Sequence, residues 1–540
     1  MGGEDKSAGE SPEKKHAPQR VCLVLDKGNL LRWHMWLIDS LRSRYDVAVS
    51  LTTTEDAARL PAACRVAFDL ERLIYGIPPG AAVDRIRPEE IAGPAPPESR
   101  VALPFDVAVN CTSGGGHVKA ERTLTLLFDG VPSELGVLAA LFDDRPVLVE
   151  IEDSQRPQQN SVAAPALADR KVLTRALDNA CSVAIDLIVK TIESDPPAGA
   201  RGSLKIRPAP RSPRLASTLR YVARSLTWKA NRFLSLQLSG REQWSVAYRK
   251  SNGRSLISEH MGEFTLLPDD GRRYFADPFV LRWRNHTALF MEEFPLETMR
   301  GQIAVATVDD NGVVSQPRPA LEEGYHLSYP NVFESDGEVW MVPESGANAS
   351  VDLYRAIDFP FRWKREATLL DGVVASDATL MRDRAGWWMF AATRLWRATG
   401  WDSLSVFYAP SLLGPWRACR HNPVVLDATA ARPAGAIISN AGVHLRPVQD
   451  CEAYYGAAVG IWRIDRIDNH GFEQTHIARI ESKQFGVHTF NSAAGLEVVD
   501  AFGKTRGCRT VTLACKPIGN LDDARVDEGA RPLGVETSLA

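Results

Sequence analysis

The sequence predicts a multidomain chain in which an α/β domain precedes an all-β domain of five propeller blades, and three observations carry that prediction. The chain has 540 residues, too many for one hydrophobic core. Between about residues 20 and 195, apolar runs rich in β-branched residues alternate with helical periodicities. Beyond Trp244 the pattern changes to short β-rich runs broken by Gly, Asn and Asp, and these runs repeat about every 50 residues.

The first apolar run, Val21 to Asp26, is followed by Gly28 and Asn29 and then by Leu30, Trp33, Leu37 and Leu41 on one helical face. That reads as strand, turn and amphipathic helix. Strand-like runs recur at Val47 to Leu51, Asp106 to Cys111, Leu124 to Phe128 and Pro146 to Ile151. A helix from Leu167 to Ile192 is expected from Leu173, Leu177, Cys181, Ala184 and Ile188, spaced by three and four. Alternating strands and helices imply a mainly parallel sheet.

From Asp195 to about Gln243 the composition shifts, with nine basic residues and no acid between Arg201 and Arg232. Its second half, Leu215 to Leu238, mixes Leu, Val, Tyr, Trp and Phe with Arg and Lys. Such a helix suits an anionic membrane surface, although packing between two domains with its arginines in water is the preferred reading. An anionic membrane contacting residues 201–238 is therefore one expected partner.

The repeat is the strongest feature. ADPFVLRWRNHTALFMEEF, SYPNVFESDGEVWMVPES, SDATLMRDRAGWWMFAAT and RPAGAIISNAGVHLRPVQD superimpose almost without gaps. Asp277, Tyr329, Asp377 and Arg432 then share one phase, 52, 48 and 55 residues apart, and a weaker fifth copy begins near Asn491. A second recurring strand holds Ala306, Ala356 and Ala409 in phase, with Trp363 and Trp416 each seven residues after their alanine. Units of this length built only of strands are propeller blades, and five copies give five blades. The expected division is a tail at 1–19, an α/β domain at 20–195, a basic linker and helix at 196–243, the propeller at 244–516 and a tail at 517–540.

These motifs also carry a resemblance. Phe275-Ala276-Asp277-Pro278, Gly414-Pro415-Trp416 and the five-fold count resemble the five-bladed propellers of the arabinanase, xylosidase and levansucrase clan. HLSYPNVF, WMVPES, LYRAIDFPFRW, LLGPW, HNPV and RPVQDCEAYYG are similar to the N-terminal propeller of plant glucosamine inositolphosphorylceramide transferases. Similar propellers occur in bacteria behind a formyltransferase-like domain, so the resemblance implies a Rossmann-like, formyltransferase-type N-terminal domain.

In such propellers, polar residues at the starts of innermost strands converge on the axis. The resemblance gives Asp277 and Asp377 the places of the base and supporting aspartate of inverting glycosidases, which need a second, protonated carboxyl at about 6.5–9.5 Å. No glutamate stands in phase in the fourth blade, where Arg432 is found, so Glu344, Glu292 or Asp450 must supply any acid. The alternative for Asp277 and Asp377 is ring closure through backbone amides of the neighbouring blade. His326, Tyr329, Arg432, Gln449 and Asp450 form the expected saccharide-binding set, with Phe275 beside them. Arg432, a fixed cation where an acid would serve, predicts an anionic or phosphorylated saccharide and no turnover of neutral arabinan or xylan.

Formyl transfer needs Asn, His and Asp together and a tetrahydrofolate donor. The strand end Leu124 to Gly130 has neither Asn nor His, and Asn110 and His117 lack the family spacing. No catalytic residue is carried onto this domain, and a tetrahydrofolate derivative is expected only if the domain is active. The glycine triplet Gly114 to Gly116 reads as a turn rather than a phosphate cradle.

Composition excludes several classes. Lys and Arg total 63 against 67 Asp and Glu, which gives no argument for nucleic acid. Eight scattered cysteines form no CxxC pair, so reduced thiols and no metal are expected. Residues 1–20 lack the apolar core of a signal peptide and no later stretch reaches about 18 apolar residues, which predicts a cytoplasmic protein, with a peripheral position on the inner membrane face as the variant. The leading function is a carbohydrate-pathway protein of surface-glycan, glycolipid or amino-sugar biosynthesis, with the propeller binding or processing saccharide. The alternatives are an N-formyltransferase-like enzyme on an amino sugar, a non-enzymatic scaffold docking a glycosyltransferase or membrane, and an inverting glycoside hydrolase. If the chain is an enzyme, formyl or glycosyl transfer is preferred to hydrolysis.

Overall fold

Six strands form the first sheet: β1 (Arg20–Asp26), β2 (Asp46–Thr52), β3 (Phe105–Asn110), β4 (Ala120–Phe128), β5 (Val149–Asp153) and β6 (Ser161–Ala163). The computed structural model describes residues 19–53, 60–91, 104–113, 118–157, 160–193, 215–238, 242–251, 260–394, 396–440, 442–469, 471–493, 495–504 and 508–518. The strand order is β2-β1-β3-β4-β5-β6, with β2, β1, β3 and β4 parallel and β5 and β6 added antiparallel. A mainly parallel sheet is thus present, with an antiparallel edge that periodicity does not reveal.

The helices are α1 (Arg32–Arg42), α2 (Ala62–Tyr75), α3 (Pro88–Ile91), α4 (Leu135–Phe142), α5 (Leu173–Glu193) and α6 (Leu215–Leu238). α2 stops at Gly76, whose left-handed φ of 63° turns the following Ile77 N–H back onto Arg72 O at 3.3 Å. α5 is buried along almost its whole length and forms the core with Leu23, Leu25, Trp33 and Phe128. Tyr221 of α6 joins the same core, and its hydroxyl donates to Arg170 O. Arg224 reaches Leu141 O and lies 3.6 Å from Asp144, whereas Arg220 is exposed. α6 is therefore a packed helix of the α/β unit. Residues 201–214 of the basic segment lie outside the described residues, as do 1–18 and 519–540.

The rest is mostly β and propeller-like. Four antiparallel groups follow in chain order. The first is β9 (Arg273–Trp283), β10 (His286–Pro295), β11 (Gln302–Val308) and β12 (Arg318–Leu321), and the second is β13 (Ser328–Ser335), β14 (Glu338–Glu344), β15 (Ser350–Asp358) and β16 (Arg362–Asp371). The third is β17 (Ala375–Arg382), β18 (Trp387–Thr393), β19 (Ser403–Ala409), β20 (Arg417–Ala418) and β21 (Val425–Leu426), and the fourth is β22 (Ile438–Asn440), β23 (Val443–Asp450), β24 (Ala458–Asp468) and β25 (Gly471–Glu481). The fifth group is built from both ends of the region: β26 (Phe490–Ala493) and β27 (Leu496–Gly503) pair with β7 (Gln243–Lys250), which pairs with β8 (His260–Leu266). β28 (Thr510–Pro517) bonds β25 on one side and β8 on the other, so the fourth and fifth groups share one nine-stranded sheet.

β9, β13, β17, β22 and β26 are the terminal strands of their groups, and side chains link several of them to neighbouring groups. Asn491 Nδ2 donates to Pro278 O, Asn331 Oδ1 accepts from Leu380 N, and Asn491 Oδ1 accepts from Ala436 N. Three phase residues share a backbone device. Asp277, Tyr329 and Asp377 have φ of 49°, 44° and 54°, and each sits where its ladder to the next strand slips by one residue. Such a bulge re-aims the side chain, and a non-glycine residue holds this conformation only where its surroundings fix it.

Candidate functional site

Asp377 is the centre of a buried polar cluster. Its Oδ2 accepts from Arg432 Nε at 2.6 Å and from Gln449 Nε2 at 2.9 Å, and its backbone N–H donates to Glu344 Oε2 at 3.2 Å. Arg432 Nη2 lies 3.6 Å from that same Glu344 oxygen, and its guanidinium stands 5.2 Å from the centre of the Tyr455 ring. Burial pushes the Asp377 carboxyl up to about 7, with Glu344 adding to the rise and Arg432 opposing it.

Asp277 heads a second, adjoining cluster. Its Oδ2 accepts from Tyr329 N of the next blade at 3.3 Å, and its Oδ1 accepts from Thr489 Oγ1 at 2.8 Å and faces His488 Nε2 at 3.4 Å. Asp500 accepts the backbone N–H groups of Asp277, His488 and Thr489 and pairs with His488 Nδ1. Trp244 stacks on the His488 ring at 3.8 Å. Burial pushes Asp277 up to about 6 against the pull of His488, with Asp377 and Asp500 adding to the rise. Burial lowers His488, but Asp500 and Asp277 outweigh it and hold the imidazole above its usual value. Asp277, His488 and Asp500 place ligand atoms within 4.8 Å of one another, a spacing that suits a cation; Asp500 and Asp277 already accept backbone N–H and Thr489 hydroxyl bonds, and His488 Nδ1 meets Asp500 as an ion pair.

The two clusters are electrostatically one site. Glu292 is held well above the carboxylate range, by burial first and then by Asp277, Glu344, Asp500 and Asp377. His326 lies beside it, with Nε2 3.4 Å from Glu292 Oε1 and Nδ1 accepting from Gly301 N at 2.9 Å, and burial lowers its pKa. Four acidic side chains from the first three blades thus face one region, with Arg432 and His488 as counter-charges.

The residues expected from sequence divide accordingly. Asp377, Glu344, Arg432 and Gln449 come together, with Asp277 in the adjoining cluster and His326 at the Glu292 edge. Tyr329 stands apart as a fully buried residue whose hydroxyl meets Thr379 Oγ1 and accepts from Gly435 N at 2.6 Å. Asp450 is paired with Arg479 and caps Glu452 N. Phe275 is buried in a hydrophobic cluster. Asp377 and Glu344 already pair with the Arg432 guanidinium, so a phosphate would compete with two carboxylates for it. The sequence reading did not single out His488, Thr489, Asp500, Trp244 or Tyr455. The run GVHTFNSA ahead of the weak fifth copy was the available signal for the first two.

The α/β unit packs against the propeller-like part beside Tyr455. Ala164 and Ala428 exchange backbone bonds with the opposite segment, and Ala166 N donates to Asp402 Oδ2 at 2.7 Å. Arg397, in the connection after β18, donates to Asp178 of α5, and Asn179 Nδ2 donates to Arg397 O. The same connection carries Trp401, which packs on Tyr455 at 4.9 Å in a small buried cluster with Ala166, Ala428 and Cys451. Within the α/β unit, Asn110 Oδ1 accepts from Thr112, and Glu134 accepts from Trp33 Nε1 and Asn29 Nδ2 with His34 at 3.9 Å. Residues 114–117, with His117 among them, lie outside the described residues.

The family described as glucosamine inositolphosphorylceramide transferase 1, N-terminal, matches residues 268–499. Glucosamine inositolphosphorylceramide transferase 1 of Oryza sativa subsp. japonica is 32% identical over 223 residues, 40% of this chain and 30% of the relative. The Arabidopsis thaliana protein of that name is 30% identical over 227 residues, 40% of this chain and 29% of its own length. The match therefore spans less than a third of these relatives. Among solved structures, a GH43_1 enzyme from Xanthomonas citri complexed with xylotriose aligns with a TM-score of 0.36 and 12% identity over 49% of this chain and 93% of that one. An exo-1,5-alpha-L-arabinanase from a bovine ruminal metagenomic library gives 0.32 and 15% over 48% and 97%. Over its propeller-like part, this chain is similar to the plant glycolipid transferases along a segment that holds Asp277, Glu292, Glu344, Asp377, Arg432 and His488.

Proposed function

We propose that the propeller-like part holds the saccharide portion of a glycolipid or its precursor, so that the protein acts in glycolipid biosynthesis. The observation that carries this reading is the convergence of Asp277, Glu292, Glu344 and Asp377 on one region beside Arg432. Carboxylates accept hydrogen bonds from sugar hydroxyls, and a surplus of them favours an ammonium group over a phosphate. An amino sugar or neutral polyol is therefore the preferred ligand, in keeping with the glucosamine in the relatives' name. Calorimetry of the full chain against glucosamine, inositol and glucosamine 6-phosphate tests this. Binding of the first two that weakens in Asp377→Asn supports the reading, and preferential binding of the phosphate ester opposes it.

A second reading, glycosyl transfer or hydrolysis, is favoured by the upward shifts of neighbouring buried carboxyls. Burial and the neighbouring carboxylates raise Glu292 well above its ordinary value, and burial raises Asp277 to about 6, the upward tuning that an acid role requires. Release of reducing sugar that disappears in Glu292→Gln would support it. Folate-dependent formyl transfer by a formyltransferase-type α/β unit remains the third reading, and formyl-tetrahydrofolate consumption in the presence of an amino sugar is its test.

A further inference from the structure

α2 and α6 lie side by side on the outside of the α/β unit. Tyr75 Oη meets Ser225 Oγ at 3.0 Å, Lys229 Nζ donates to Ile74 O at 3.0 Å, and Cys64 Sγ lies 3.9 Å from Thr218 Oγ1. Each helix buries one face: Cys64, Ala67, Phe68 and Glu71 of α2, and Thr218, Tyr221 and Ser225 of α6. The opposite faces carry aliphatic side chains in water. On α2 these are Val66, Leu70 and Leu73, at steps of four and three, with Leu73 83% exposed; on α6 they are Leu219 and Leu226, one heptad apart. An ordinary soluble surface puts polar residues there.

The charge on α6 is one-sided. α6 contains Arg220, Arg224, Lys229 and Arg232 and no acidic residue. Arg220 is exposed next to Leu219, and Arg65 is exposed next to Val66. Asp69 is the one exposed acid among the described residues of α2. A second copy of this chain seated here across a two-fold axis would set cations against cations, which opposes self-association. An anionic bilayer satisfies both features at once, since its headgroups meet the cations and its acyl boundary takes the aliphatic side chains.

We propose that the outer face of α2 and α6, built on Val66, Leu70, Leu73, Leu219 and Leu226 with Arg65 and Arg220, is a docking surface for an anionic lipid bilayer. Aliphatic insertion supplies the apolar part of the binding and the cations supply its preference for negative lipid. The proposal does not depend on the saccharide reading, although a lipid-linked substrate would be met at such a surface.

Flotation of the full chain with phosphatidylcholine vesicles, with and without about 30% phosphatidylserine, tests the proposal at low and high salt. The protein should float with the serine-containing vesicles in about 0.1 M salt and partition at least about tenfold less onto phosphatidylcholine alone or in about 0.5 M salt. Combined Leu70→Asp, Leu73→Asp and Leu226→Asp should abolish flotation without changing the far-ultraviolet circular dichroism. Arg220→Glu, which leaves the aliphatic side chains in place, should weaken binding to the anionic vesicles alone. Wild-type protein that stays in buffer at low salt overturns the proposal, as does flotation unchanged in both variants. A concentration-dependent dimer that Leu73→Asp dissociates would assign the face to a second copy and overturn it equally.

Discussion

Replacing Arg432 with alanine should destabilise the propeller-like part in a pH-dependent way. Arg432 is 8% exposed, bonds Asp377 at 2.6 Å and faces Glu344 at 3.6 Å, so its removal leaves two carboxyls without their shared cation. Breaking a buried ion pair from one side costs about 3–5 kcal/mol. Here Gln449 Nε2 still donates to Asp377 at 2.9 Å, and a carboxyl that titrates near 7 can escape by taking a proton. The expected loss is therefore at the lower end, about 3 kcal/mol at pH 8. The sign follows from linkage. Removing the cation raises the folded-state pKa of Asp377 further above its ordinary value, so the penalty is full above that pKa and relieved as the pH falls below it. Denaturant unfolding of the full chain at pH 8 and pH 5 should show at least about half of the loss recovered at the lower pH. Asp377→Asn in the Arg432→Ala background should recover a similar amount at pH 8. A loss below about 1 kcal/mol at pH 8, or an equal loss at both pH values, would refute the reasoning.

Three further outcomes are expected. Burial carries Asp402 to about 7 and Asp186 to about 8 where the α/β unit meets the propeller, with Asp402 adding to the rise at Asp186, so the folded state binds extra protons there. Stability should fall as pH rises from 5 through 8, and Asp402→Asn, which still accepts from Ala166 N, should flatten the fall in thermal midpoint; an unchanged slope contradicts this. Trp401→Ala removes the ring against Tyr455 and should weaken saccharide binding roughly fivefold, about 1 kcal/mol, whereas unaltered affinity in calorimetry would separate the α/β contact from the site. Gly435→Ala would put a Cβ 2.1 Å from Phe490 O at a φ of 146°, so chemical denaturation should register a loss of about 3 kcal/mol or more, and a loss under about 1 would show that the inner strands move apart freely.

The repeat was legible because each blade must bury the same faces, and a recurring requirement leaves a recurring pattern at Asp277, Tyr329 and Asp377. The bulge that re-aims these residues is a backbone event and leaves no separate mark in the sequence. Arg432 was visible as a break in the pattern, but its ion pairs were not, since they depend on how deeply Glu344 of the second blade reaches toward the fourth. His488 and Asp500 escaped notice because the fifth group closes with β7, pairing Val246 with Asp500 across the length of the region. Trp244 reaches His488 only through that closure. In the α/β unit the strands were evident from their apolar runs, whereas the antiparallel entry of β5 is set by the connections around it. The arginine-rich composition of α6 pointed outward, and the packing of Thr218, Tyr221 and Ser225 became plain only with α2 and α4 in place.

The central claim is that the carboxylate cluster around Asp377 recognises a saccharide. Titration calorimetry of the full chain with glucosamine, inositol and glucosamine 6-phosphate, for wild type and Asp377→Asn, measures it most directly. Binding of glucosamine or inositol that falls at least about tenfold in the variant, the factor that about 1.4 kcal/mol represents, is the predicted result. Tightest binding of glucosamine 6-phosphate, unaffected by Asp377→Asn, would contradict it.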